Sequence, residues 1–97
     1  MGLLVTPDAK GDRLYSPKNG SDFTLEELRN IIGTGDDGLV EIVQGRSGTL
    51  YICDEEGKLK GLRQNVAVTA VGRQDGAISL DDYFVGRVLV CQSNEVR

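Results

Sequence analysis

From residue 23 the chain reads FTLEELRNIIG, in which Leu25, Leu28, Ile31 and Ile32 recur at helical spacing and share one face. Thr24 is a good N-cap, and Glu27 stands three residues on, the spacing of a capping box. Phe23 and Leu28 have the spacing of a hydrophobic staple, and Gly33 stops the run. A helix over residues 24–32 follows. Elsewhere the pattern is extended. LLVT and RLYS predict two short strands joined by the turn-rich PDAKGD, while GLVEIVQG and SGTLYICD predict a hairpin closed at QGRSG. AISL reads as extended and RVLVCQS as a closing strand, with the last residues, NEVR, expected to fray. RQNVAVTAVG fits either a strand or a second short helix at about 64–71, because its apolar residues satisfy both periods. The expected fold is α+β: one domain over residues 1–97, with a small, mostly antiparallel sheet and one clear helix.

Composition narrows this picture. Hydrophobic residues make up 39% of the chain, aromatic residues only 5%, and Trp is absent, so the core must rest on Val, Leu and Ile. So thin a core is relieved by self-association, and a homo-oligomer, dimer or tetramer, is expected. A net charge of -4 argues against binding long nucleic acid, which demands a positive field. No apolar run reaches membrane-spanning length and no basic region precedes an apolar one, so a cytoplasmic protein without membrane contact is expected. Cys53 and Cys91 each end an apolar run and lack metal-ligand spacing. A buried reduced thiol is the plain reading of each, and a disulfide the alternative.

Catalysis is hard to build from this chain. Without His the usual proton shuttle is missing, and no nucleophile stands near a base in the sequence. The acidic pairs Asp36/Asp37, Glu55/Glu56 and Asp81/Asp82 lie beside turns, where solvation explains them. GTGDDG matches a dinucleotide fingerprint literally. A helix precedes it and a strand follows, however, which is the reverse of the order that such a fingerprint needs, and its two aspartates would repel phosphate. It reads as a helix-stop loop. Neither enzyme activity, a cofactor nor a metal site is expected.

One stretch stands out. DEEGKLKGLRQN, residues 54–65, passes from three acids to Lys58, Lys60 and Arg63. As plain structure it is a tight turn after LYIC, with Gly57 supplying a positive φ and the cations solvated. As a site, it concentrates positive charge beside Gln64 and Asn65, and Gly57 and Gly61 let a ligand approach the backbone.

FTLEELRNIIG, GLVEIV, EEGKLKGLRQNVAVTA and VGRVLVC, in that order, resemble the short phage- and plasmid-borne proteins of the domain of unknown function 3846 family. The resemblance runs from about residue 23 to residue 91. Against the family pattern, Arg63 stands for a proline, Asp54 for an asparagine and Arg87 for an aspartate, while VAVTA replaces a more polar segment. Arg63 and Arg87 both shift the local balance toward positive charge. The setting that the resemblance implies is interference with host defence by stoichiometric binding. It leads us to expect a non-catalytic sponge that sequesters a cyclic nucleotide signal, or another nucleotide, in the host cytoplasm. Lys58, Lys60 and Arg63 would then meet phosphate, Asn65 or Thr69 would read a base or ribose edge, and Tyr51 and Tyr83 would offer stacking faces. The alternative is an acidic decoy that binds a host protein through the carboxylate pairs, without a small-molecule ligand.

Overall fold

The apolar strands β4 (Thr49–Asp54) and β5 (Val88–Gln92), buried on both faces, organise the molecule, which a computed structural model describes over residues 1–96. These strands pair antiparallel, with Leu50 opposite Cys91 and Ile52 opposite Leu89. The hairpin partner β3 (Val40–Gln44) lies outside β4, and β1 (Gly2–Val5) and β2 (Arg13–Tyr15) complete a five-stranded, wholly antiparallel sheet in the order β2-β1-β5-β4-β3. Successive side chains point to opposite faces. Leu4, Leu50, Ile52, Leu89 and Cys91 therefore form one apolar cluster with Phe23 and with Leu28, Ile31 and Ile32 of α1 (Leu25–Ile32). Tyr51, Cys53 and Val88 form a second cluster with Phe84 and with Val68 of α2 (Val66–Gln74). The sheet is thus a middle layer with one helix on each face. The α+β architecture with one antiparallel sheet matches the expectation from sequence.

Local signals explain both helices. Thr24 Oγ1 accepts from the Glu27 N–H at 3.2 Å, the Glu27 carboxylate accepts from the Thr24 N–H at 3.1 Å, and Gly33 closes α1 at φ 81°. The ambiguous VAVTAVG run is helical, and it extends three residues past the expected limit at residue 71, to Gln74. Asn65 caps it: the Asn65 side-chain oxygen accepts from the Val68 N–H at 3.5 Å. Glycine at position 72 lets this helix lie against Phe84, whose Cε2 would stand 2.7 Å from an added Cβ.

The β3–β4 turn is fastened from a distance by Asp75, just past α2. Its carboxylate accepts from the Ser47 N–H at 3.0 Å, the Ser47 hydroxyl at 2.8 Å and the Tyr51 hydroxyl at 2.8 Å. These donors hold the Asp75 carboxyl below its ordinary range, the Ser47 N–H most of all.

Three expectations are corrected. AISL forms no strand, since residues 77–87 cross α2 irregularly with only an isolated bridge between Gln64 and Val85. The final residues do not fray as far as they are described, and Arg97 lies outside the described residues. Ser93–Glu95 form a 3-10 turn, the Phe23 N–H donates to the Glu95 carbonyl at 2.6 Å, and the buried Glu95 carboxylate takes the Met1 ammonium. Gly57 has no positive φ. That conformation falls at Gly61 (φ 68°), whereas a Cβ on Gly57 would stand 2.8 Å from Val85. Cys53 and Cys91 are free, buried and on opposite faces of the sheet, which agrees with the reduced-thiol reading.

Candidate functional site

Residues 54–65 cross one end of the sheet, where β1 and β4 finish and β3 and β5 begin. The segment winds tightly: the Glu56 N–H donates to Asp54 Oδ1 at 2.9 Å, and the Leu62 N–H donates to the Gly57 carbonyl at 3.1 Å. Its cations have separate fates. Lys60 Nζ meets Asp54 Oδ2 at 2.6 Å, and Lys58 Nζ meets Asp82 Oδ1 at 2.5 Å while lying 4.4 Å above the Tyr83 ring. The hydrogen bond that Lys58 donates to the Asp82 carboxylate raises the Lys58 pKa. Arg63 is exposed, and among the described residues no hydrogen bond or ion pair holds its side chain.

Three expected ligand contacts face inward instead. Asn65 is fully buried, and its amide donates to the Val5 and Gly86 carbonyls at 2.9 Å each. The Thr69 hydroxyl, also buried, accepts from the Phe84 N–H at 2.9 Å. Tyr51 is 1% exposed and stacks on Phe84 at 5.6 Å between ring centroids, with its hydroxyl on Asp75. These polar atoms satisfy buried backbone and side-chain groups, which leaves none of them to read a ligand. Of the expected set, Lys58, Lys60, Arg63 and Tyr83 reach the surface.

Two clefts flank the segment. On the β3–β4 side, a cleft of about 450 Å³ holds Lys58 and Tyr83, but Glu41, Asp54, Glu55 and Asp82 also line it. Four carboxylates against one ammonium repel phosphate. On the β1–β5 side, a cleft of about 520 Å³ gathers Lys10, Arg63 and Arg87 with a single acid, Asp8. The Gly86 N–H donates to the Arg63 carbonyl at 2.8 Å and sets the two arginines side by side in the chain path. Arg87 Nη1 donates to the Ile31 carbonyl at 3.0 Å, in the last turn of α1, where the helix dipole favours a cation. The guanidinium keeps further donors for a ligand. Lys10 rides on a loop pinned at its base, where Asp12 Oδ1 accepts from the Thr6 N–H at 2.6 Å and the Thr6 hydroxyl accepts from the Gly11 N–H at 3.2 Å. A larger depression of about 1020 Å³ beside α1 mixes Glu26, Glu27 and Asp36 with Lys18 and Arg29 and favours neither sign.

Lys10 was invisible as a site residue from sequence, because nothing local links it to Arg63. Arg87 is singled out in the sequence only because the resembling proteins have an aspartate there. No group of three or more Cys, Asp or Glu residues could hold a metal among the described residues, and none of their helices is long and apolar enough to cross a membrane. Compared with family models, curated proteins and solved structures, the chain matches none.

Proposed function

We propose that this chain is a non-catalytic binder of a small phosphate-bearing ligand, and that it acts as a sponge for a cyclic nucleotide signal. The observation that carries the reading is the convergence of Lys10, Arg63 and Arg87 on one cleft in a chain of net charge -4. Guanidinium groups match phosphate oxygens in pairs, and charge-assisted hydrogen bonds of this kind are the strong ones. The site is therefore moved from Lys58 and Lys60, whose charges Asp82 and Asp54 already neutralise, to the arginine side of the same segment. Tyr83, 39% exposed beneath Lys58, lines the acidic cleft on the other side of the segment and is not part of this site. The resemblance to phage- and plasmid-borne proteins supports the setting, a host cytoplasm in which stoichiometric capture suffices.

The test is native mass spectrometry with a panel of cyclic di- and trinucleotides, on the natural chain and on Arg63→Glu. Arg63 is exposed and unpaired among the described residues, so the variant should fold. Retention of nucleotide at a fixed stoichiometry, weakened about tenfold or more by the variant, is expected from the loss of a charge-assisted pair. No retention across the panel, or retention indifferent to Arg63, would sink the reading. The rival, an acidic decoy for a host protein, draws on the pairs Asp36/Asp37, Glu55/Glu56 and Asp81/Asp82, all exposed except the half-buried Asp82. It predicts that Arg63→Glu leaves capture of that protein intact.

A further inference from the structure

We infer that β3 is a docking edge for a second copy of this chain, joining two five-stranded sheets into one. This inference is independent of the phosphate cleft, which lies on the β1–β5 side. β3 closes the sheet order, so among the described residues no strand lies on its outer edge. The direction of its backbone groups follows from the register. The Gly45 N–H donates to the Thr49 carbonyl and the Glu55 N–H to the Leu39 carbonyl, which makes the odd-numbered residues the hydrogen-bonded partners of β4. Val40, Ile42 and Gln44 therefore turn their N–H and C=O groups outward.

Natural sheets blunt such edges with short strands, charged residues, lysine above all, or proline. The opposite edge is blunted in this way: β2 has three residues, and Arg13 covers Tyr15 at 4.7 Å. β3 has five residues, with no Lys, Arg or Pro and a single charge, Glu41, among them. Ile42 is 45% exposed on the α1 face, opposite Ile52.

The sequence VEIVQ favours its own copy as occupant. With a two-fold axis at Ile42, the outward groups of Ile42 bond those of the second copy's Ile42, and Val40 faces Gln44. Glu41 then faces Val43 rather than another carboxylate. The two Glu41 side chains lie diagonally across the axis, at roughly 7–8 Å, where their repulsion is mild. A five-residue strand pair sits at the small end of specific interfaces, under about 1,200 Å², so the association depends on concentration.

The test combines sedimentation velocity over a micromolar-to-millimolar series with amide hydrogen exchange at both ends of it. We expect a monomer–dimer equilibrium, with the amides of Val40, Ile42 and Gln44 gaining protection as the dimer forms. Ile42→Lys, which sets two ammonium groups face to face, should give a folded monomer throughout, with folding checked by circular dichroism. Glu41→Gln should tighten the dimer roughly two- to fivefold. Leu14→Lys, on β2, should change nothing. A monomer at every concentration, a dimer that survives Ile42→Lys, or a dimer broken by Leu14→Lys would overturn the inference.

Discussion

Tyr51 shows how a residue can mislead when it is judged by its chemistry alone. Its ring and hydroxyl suit base stacking, yet both are used within the fold, against Phe84 and Asp75. Asn65 and Thr69 likewise satisfy buried backbone groups, and a polar residue in a strongly apolar run is as much a sign of that duty as of a ligand. Inward placement has a consequence at high pH. Burial pushes the Cys53 thiol up to about 12, the Cys91 thiol to about 11 and the Tyr51 hydroxyl to about 12, Asp75 adding to the last. In the unfolded chain these groups ionise near their ordinary values of 9.0 and 10.0. Above pH 9 the unfolded chain therefore holds fewer protons than the folded one, and stability falls as pH rises. Below that pH the contribution is complete. Melting curves from neutral to pH 11 should show this decline. Cys53→Ala should flatten it by up to about 1.4 kcal/mol per pH unit, whatever the variant does at neutral pH. An unchanged slope would mean that the thiol ionises freely in the native state.

At the scale of elements, legibility depended on how local the deciding signal was. Every part of α1 lies within a dozen residues, from the Phe23 staple through the Thr24–Glu27 box to Gly33, and it is read correctly from sequence. α2 has no such completeness. Its Val-rich run fits a strand equally well, and the choice falls to Asn65 and to contacts with Phe84, which comes after the helix in the chain. The glycines of the 54–65 segment divide in the same way. Gly61 serves its own backbone, whereas Gly57 serves Val85, and only the first role is local. Gly72→Ala tests the tertiary part. Helix propensity alone would gain up to about 1 kcal/mol. The new Cβ would stand 2.7 Å from the buried Phe84 ring, which is also stacked on Tyr51. Overpacking of this kind costs about 1–3 kcal/mol, so a net loss and a lower urea midpoint are expected. A gain would mean that the ring has room to move.

At the scale of the whole molecule, the decisive pairing joins the first strand to the last. No local pattern announces that β5 inserts between β1 and β4, and this insertion carries Arg87 to the cleft shared with Lys10 and Arg63. The basic run at 58–63 was legible because it is contiguous. Its neutralisation by Asp82 and the recruitment of Lys10 were not, since both arise from tertiary neighbours. Among the described residues, the topology also makes β5 the sole strand that joins two hairpins, β1–β2 and β3–β4. Each hairpin alone is too small to hold a buried face, so the halves stand or fall through β5. Leu89 sits at that junction, fully buried and opposite both Leu4 and Ile52. Leu89→Ala should cost about 2–5 kcal/mol, a large share of the 5–15 kcal/mol typical of whole domains. Because the loss lies in the bridge, native-state hydrogen exchange should quicken to the same degree in β1 and in β4. Loss of protection in one hairpin with the other unchanged would show that the halves hold together without β5, through the helices that pack across the sheet.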